Sequence, residues 1–144
     1  MSSETDTADD RGAASGSASD ESHEDPFAVR REKLRVLRAA GVEPYADRFE
    51  VTARADELAS AYGDLEPGAD TADSVRVAGR LVAKRDQGRL AFLVIRDATG
   101  DLQLFCRIDA LGEAGFEFVR SLDVGDWVGA TGTVLRTRRG DLSV

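Results

Sequence analysis

Residues 90–105, LAFLVIRDATGDLQLF, place two phenylalanines among polar side chains in a pattern that could bind a nucleic-acid base. With the period of two that a strand imposes, the aliphatic residues point to one side and Phe92 points to the other, together with Arg96. After a turn the alternation resumes, and Phe105 shares the outward side with Gln103. An aromatic ring stacks on a base for about 1–3 kcal/mol, and side-chain amides bond to exposed base edges. The alternatives are a surface for a flat ligand and a second small core.

Arg85 is predicted to lie in the loop that enters the strand carrying Phe92. Uracil presents two carbonyl acceptors on either side of its N3–H donor, so an arginine, an amide and a carboxylate together could read it. The competing interpretation is that Phe92 packs beneath an N-terminal helix. The pattern of residues alone leaves both interpretations open.

The elements that must position these side chains are mainly strands. The alternating runs VRVAGRLVAKRD, RLAFLVIRD and DLQLFCR predict three strands, a helix is predicted from about Asp109 to Ser121, and DWVGATGTVLRTR and GDLSV predict two more strands. This is the order of an OB-fold, a five-stranded Greek-key barrel that binds oligonucleotides on its second and third strands. We predict that it spans residues 75–144. The sequence ends at Val144 inside the fifth strand, so we expect that strand to be truncated.

The preceding residues divide into a tail, a helix and a linker. Residues 1–25 are rich in Ser, Ala, Gly and acidic residues without apolar periodicity, which predicts a disordered acidic tail. Residues 26–74 are predicted to form a helical extension and a linker. Its first helix has Asp25 as N-cap and closes at Gly41, and Thr52 is predicted to cap a second, shorter helix. The predicted fold class is therefore mainly β with N-terminal helices.

The charge is unevenly distributed along the chain. The net charge is −8, but residues 1–25 hold eight acids against one base, whereas residues 75–107 hold seven bases against three acids. The acidic total therefore does not argue against a nucleic-acid partner. Arg30 and Arg31 lie on the basic face of the first helix, which is either a solvated face or a phosphate contact beside a nucleic-acid site.

The sequence gives little support for a catalytic, metal-binding or phosphate-loop site. The single cysteine, Cys106, lies in an apolar alternation and is predicted to be a small buried residue in a reducing compartment. The single histidine, His23, has no partner at ligand spacing, so no metal site is predicted. We find no Ser/His/Asp arrangement and no phosphate loop, and we assign no catalytic residue. Without a signal peptide or an apolar run of about 20 residues, we expect a cytoplasmic protein.

Three longer motifs carry a resemblance to a known family. RREKLRVLRAAGVEPYADRF, VRVAGRLVAKRDQGRLAFLVIRDATGDLQLF and LDVGDWVGATGTVLRTRRGDLSV are similar to the N-terminal anticodon-binding domain of bacterial-type class II lysyl-tRNA synthetases. The resemblance runs from about Phe27 to Val144. Aspartyl- and asparaginyl-tRNA synthetases share the core pattern R-D…F…R-D…G…Q but generally lack the helix followed by GVEPYADRF. The lysyl family is therefore preferred.

The resemblance implies a role for four residues in reading the anticodon. Phe92 would stack on the middle uridine of the lysine anticodon, with Arg85 and Gln103 at the edge of that base. The family usually closes with GELS, whose glutamate contacts anticodon bases; here the motif is GDLS, so Asp141 keeps the charge with one methylene less reach. With Arg30 and Arg31, a third base, Lys84, is predicted to contact phosphate.

The resemblance also implies a complete enzyme larger than this chain. Such an enzyme activates lysine with ATP and Mg²⁺ and esterifies tRNA in a large C-terminal catalytic domain, as a homodimer. The motifs of that domain are not in this sequence, so we expect these 144 residues to bind tRNA without aminoacylating it and to hold no cofactor. The alternative is a free-standing OB-fold module that binds single-stranded nucleic acid or a protein partner without catalysis.

Overall fold

The structure is a computed structural model that describes residues 25–45 and 48–144. Apart from Asp25, the predicted acidic tail lies outside the described residues. The chain divides into two compact units, residues 1–45 and residues 46–144. Among the described residues, no helix is both long and apolar enough to cross a membrane.

The first unit contains the predicted helix, α1 (Pro26–Ala39). Its N-cap is Asp25, whose Oδ1 accepts a hydrogen bond from the backbone N–H of Phe27 at 3.0 Å, and proline occupies the first helical position. Gly41 follows the helix with a φ of 75°, in the left-handed region that glycine adopts without strain. The predicted start and end of α1 are therefore confirmed.

The second unit is the predicted five-stranded barrel. Its elements are α2 (Ala55–Ala61), β1 (Asp70–Asp86), β2 (Leu90–Arg96), β3 (Asp101–Arg107), α3 (Ile108–Ser121), β4 (Trp127–Arg136) and β5 (Leu142–Ser143). The strands form a closed barrel in the order β1-β2-β3-β5-β4. Although β5 has only two residues, Ser143 pairs in parallel with Gln103 of β3 and antiparallel with Leu135 of β4. The OB-fold is confirmed, and the short β5 closes its ring.

The long strand β1 bends around the barrel and pairs on both sides. Its first part pairs with β4 and its last part with β2, with a register shift between Leu81 and Ala83. Gly79 lies where the backbones approach closely, because a Cβ there would lie only 2.7 Å from the carbonyl oxygen of Arg96. The strand begins at Asp70, ahead of the predicted domain start at residue 75, and continues to Asp86.

The barrel interior is filled by the inward residues of every strand and by α3. The fully buried side chains include Leu81, Leu93, Ile95, Val134 and Phe116. Phe116 comes from α3, which lies between β3 and β4 in the chain and bends at Gly112, where the φ is 72°. The predicted helix over 109–121 is confirmed, with Phe116 and Val119 buried but Leu111 exposed.

The N-terminus of α2 differs from the prediction that Thr52 caps it. The hydroxyl of Thr52 instead accepts a hydrogen bond from the backbone N–H of Arg76 in β1, at 2.8 Å. Asp97, in the turn between β2 and β3, accepts from the backbone N–H of Ala55 at 2.9 Å, and Thr99 accepts from that of Asp56 at 3.1 Å. Besides the local bond from the Arg54 N–H to the Glu57 carboxylate, two N–H groups of the first turn are therefore capped from a turn more than 40 residues away, which local sequence does not reveal.

Candidate nucleic-acid interface

A row of stacked side chains crosses the outer face of β1, β2 and β3. Arg85, Phe92 and Phe105 lie opposite one another in the antiparallel register, so successive side chains stand one strand spacing apart, about 4.8 Å. The guanidinium carbon of Arg85 lies 5.0 Å from the ring centroid of Phe92. The centroids of Phe92 and Phe105 are 5.1 Å apart with the planes at 15°. The outward alternation predicted for Phe92 and Phe105 is confirmed.

Arg85 was predicted to lie in a loop, and that placement is wrong. The antiparallel ladder of β1 and β2 extends to the pair of Asp86 and Ala91, so Arg85 is the penultimate residue of β1. The strand persists because the turn that follows is tight: the backbone N–H of Gln87 bonds to the carbonyl of Leu90 at 2.8 Å. A strand position fixes the direction of Arg85 toward the ring of Phe92.

Arg107 extends the row along β3. Its guanidinium carbon lies 5.9 Å from the ring centroid of Phe105. Arg85 therefore contacts the ring of Phe92, and Arg107 contacts the ring of Phe105. A cation–π contact of this kind contributes about 0.5–1 kcal/mol at an exposed site. Sequence alternation places Phe105 and Arg107 on this face, and the structure adds the contact of Phe105 with Phe92 and that of Arg107 with Phe105.

The polar part of the site lies one step further along the same strands. Val94, Gln103 and Ser143 form the next row across β2, β3 and β5, so Gln103 is beside the aromatic row on the same outer face. Its Nε2 donates a hydrogen bond to the hydroxyl of Ser143 at 3.0 Å. No residue in the described part of the chain donates to its Oε1. Gln103 therefore presents an available acceptor next to the rings.

Asp141 lies in the turn that joins β4 to β5. Its backbone carbonyl accepts from the N–H of Thr137 at 2.9 Å, and its own N–H donates to the Thr137 hydroxyl at 3.1 Å. Arg136 ties this turn to α2, since it donates to the carbonyl of Gly140 at 2.7 Å and to that of Tyr62 at 3.0 Å. The backbone position of Asp141 is thus fixed, while its side chain is exposed two residues before Ser143.

Lys84 has a different contact from the phosphate contact predicted for it. Its ammonium donates to the carbonyls of Arg120 and Leu122 at the end of α3, the second at 2.9 Å. A helix C-terminus leaves carbonyls without partners and carries partial negative charge, so a lysine stabilises it. The observed role of Lys84 is to fasten α3 to β1, and phosphate contact stays a prediction.

Arg30 and Arg31 belong to α1 and are exposed there. Arg31 pairs with the carboxylate of Asp25 at 3.4 Å. Both residues belong to the first unit, and their phosphate contact also stays a prediction.

Two further groups near the site are structural. Burial raises the pKa of the Cys106 thiol, so it stays protonated at neutral pH and packs against the core. For Asp97, burial acts to raise the pKa, but hydrogen bonds from Thr99, Ala55 and Gly100 outweigh it and lower the pKa below its ordinary value of 3.8. No group of three or more His, Cys, Asp or Glu residues in the described part of the chain could hold a metal ion.

A closed five-stranded barrel with this strand order is an OB-fold, a class of domains that bind oligonucleotides or oligosaccharides on the face of their second and third strands. The row of Arg85, Phe92 and Phe105 crosses that face. Residues 75–144 match the tRNA anti-codon family model, whose description is OB-fold nucleic acid binding domain. This part of the chain belongs to that family.

The relatives of the chain include lysine–tRNA ligases. It is 41% identical over 118 residues to the lysine–tRNA ligase of Streptococcus pneumoniae (strain Hungary19A-6), which covers 81% of this chain and 24% of that protein. It is 45% identical over 116 residues to the lysine–tRNA ligase of Synechococcus sp. (strain RCC307), which covers 81% of this chain and 23% of that protein. The resemblance inferred from the sequence motifs is confirmed. The chain spans about a quarter of the length of these curated relatives.

Proposed function

We propose that the outer face of β2 and β3 binds the anticodon loop of a lysine tRNA and reads its middle uridine. The observation that carries this proposal is the row of Arg85, Phe92 and Phe105 with the Gln103 amide beside it. Aromatic rings give affinity for unpaired bases of any kind, and the adjacent amide supplies the hydrogen bond that distinguishes one base from another.

The two faces of the Phe92 ring are both occupied in the free protein. Since β1 and β3 flank β2, Arg85 covers one face and Phe105 the other. An incoming base takes the face that Arg85 covers, because Arg85 is exposed and its contact is worth about 0.5–1 kcal/mol, less than the roughly 1–3 kcal/mol of base stacking. The displaced guanidinium then bonds to a uracil carbonyl or to the adjacent phosphate.

Uridine is selected over cytidine at the position next to Gln103. The N3–H of uracil donates to Oε1 of Gln103, whereas cytosine presents a lone pair at the same point and leaves two acceptors facing each other. Asp141, at the rim of the site, accepts from a neighbouring base directly or through water. Arg30 and Arg31 are assigned to phosphates, where they add affinity that depends on salt and not on sequence. Lys84 is assigned to the end of α3, to whose carbonyls it donates.

We further propose that the chain acts as part of a longer lysine–tRNA ligase that attaches lysine to tRNA in the cytoplasm. The similarity to lysine–tRNA ligases supports this proposal. The ATP and Mg²⁺ used in that reaction, and the homodimer, are assigned to the catalytic part of such an enzyme.

The test is a pair of anticodon stem-loops that differ only in the middle base, U or C, each titrated against the full chain at two salt concentrations. The loop with U is expected to bind more tightly by about 1–3 kcal/mol, the cost of a buried polar group left unpaired. Both affinities should fall with salt, but their ratio should not. A ratio near one at both concentrations would remove the proposal and leave a general single-strand binder, and absence of RNA binding would leave a module for a protein partner.

A further inference from the structure

Ser143 and Gln103 are neighbours in the parallel pairing of β5 with β3. The backbone N–H of Val144 donates to the carbonyl of Gln103 at 3.1 Å, and the N–H of Phe105 donates to the carbonyl of Val144 at 2.8 Å. These bonds hold the Ser143 side chain beside that of Gln103, where its hydroxyl oxygen lies 3.0 Å from Nε2.

The hydroxyl of Ser143 has two partners in the protein and no access to solvent. Its relative exposure is 0%, so its hydrogen-bonding capacity must be met within the protein. The second partner is the backbone carbonyl of Asp141, 3.3 Å away. A carbonyl only accepts, and a hydroxyl has a single proton, so Ser143 donates to Asp141 and accepts from Gln103.

This arrangement decides which end of the Gln103 amide faces the ligand. The NH₂ group must point to Ser143, and Oε1 is left on the outer face as an acceptor. If the Gln103 amide turned by 180°, Oε1 would take the place of Nε2 beside the Ser143 hydroxyl oxygen. That contact requires the hydroxyl proton, which the Asp141 carbonyl would then lose.

We propose that Ser143 is a positioning residue that sets the specificity for uridine by fixing the orientation of the Gln103 amide. The inference rests on the proposed function, since it concerns the same reading of the middle anticodon base. With the amide fixed, Oε1 accepts from the N3–H of uracil and repels the N3 lone pair of cytosine. With the amide free to rotate, its NH₂ group can donate to cytosine, and the two bases are bound about equally.

The experiment compares the affinities of the full chain for anticodon stem-loops with U or C in the middle. For the wild-type protein the ratio should be about 5- to 150-fold, which corresponds to one unpaired polar group. For Ser143→Ala the ratio should fall to about twofold or less, chiefly because the loop with C binds better. A merely structural role for Ser143 would weaken binding of both loops and leave their ratio unchanged.

Three further variants separate the effect on the Gln103 amide from the loss of a hydroxyl as such. Thr71→Val is the matched control, because it also removes a hydroxyl that donates to a barrel carbonyl, that of Val134 at 2.7 Å, and this hydroxyl has no hydrogen bond with Gln103. Its ratio should equal that of the wild type. Gln103→Glu has two oxygens that both accept, so rotation no longer matters, and the double variant Ser143→Ala/Gln103→Glu should keep a preference for U. Circular-dichroism melts of each variant serve as the control for folding.

The outcomes distinguish failure of the Ser143 inference from failure of the proposed function. A wild-type preference for U that Ser143→Ala keeps in full overturns the inference and leaves the proposed function standing. A preference that the double variant also loses overturns it too, because the loss then does not depend on an amide. A wild-type protein with no preference overturns the proposed function, and the inference with it.

Discussion

Arg85 lies directly opposite Phe92 across β1 and β2, with its guanidinium carbon 5.0 Å from the ring centroid. The ring on which a base would stack is therefore covered in the free protein by a side chain that is itself exposed and cationic. This contact shields an outward phenylalanine from water. In the proposed complex, a base would replace Arg85 as the stacked partner of Phe92.

Substituting Arg85→Ala should weaken binding of the anticodon stem-loop by less than Phe92→Ala does. The variant loses the bond from the guanidinium to a base or phosphate, but it also removes the group that a base must displace, worth about 0.5–1 kcal/mol. Isothermal titrations of both variants at one salt concentration measure the difference. A larger loss for Arg85→Ala would show that displacement is not part of binding.

Substituting Phe92→Ala should cost about 1–3 kcal/mol of RNA affinity, whereas Phe92→Tyr should keep most of it, because the phenol ring still stacks. Folding stability should also fall, since the variant loses a stacked aromatic pair of about 0.5–1.5 kcal/mol with Phe105. Thermal melts run beside the titrations separate the two effects. Unfolding of Phe92→Ala at room temperature would mean that the ring serves packing first.

Substituting Asp141→Glu should sharpen the preference of the chain for uridine in the lysine anticodon. Thr137 fixes the backbone of residue 141, and the added methylene extends the carboxylate toward the bases. The control is Asp141→Asn, which keeps the length and removes the charge. Affinities for stem-loops that vary the bases beside the middle uridine provide the measurement. If Asp141→Glu and Asp141→Asn behave alike, the carboxylate does not contact the bases.

Substituting Lys84→Met should lower the free energy of unfolding by about 1–3 kcal/mol, because it removes charge-assisted hydrogen bonds to the last carbonyls of α3. RNA affinity should change little, and its dependence on salt should not change. Chemical denaturation and a salt series of RNA titrations test the two parts. A salt slope reduced by about one would instead reveal a phosphate contact.

Stability should decrease in acid partly through Asp97. The pKa of this carboxyl is lowered in the folded protein, so its stabilising contribution is complete above the ordinary value of 3.8 and is lost as the pH falls through the lower folded value. Asp97→Asn should therefore be less stable at neutral pH and show a flatter acid limb. Denaturation midpoints measured between pH 2 and about pH 6 compare the two proteins. Parallel curves would contradict this role.

The fold and part of the site could be predicted because they follow from local periodicity. The alternation of residues through β2 and β3 predicts Phe92 and Gln103 on the outer face. The order of three strands, a helix and two strands predicts the barrel. Asp97 accepts from the N-terminus of α2 across 42 positions of the chain, and Lys84 donates to Leu122 at the end of α3 across 38 positions. Contacts between residues so far apart cannot be predicted from a local pattern. Likewise, the loop position predicted for Arg85 was wrong because the turn after Asp86 is tight, which keeps β1 paired with β2 through Arg85 and Asp86.

The bond between Asp97 and the N-terminus of α2 has a consequence for the speed of RNA binding. The turn that Asp97 occupies connects the strands of Phe92 and Gln103, and α2 holds that turn at a second point through Thr99. The relative position of ring and amide is thereby set before the encounter, and only the exposed Arg85 has to move. Association should then proceed without a slow rearrangement, as a single phase whose rate constant increases linearly with RNA concentration and decreases with ionic strength.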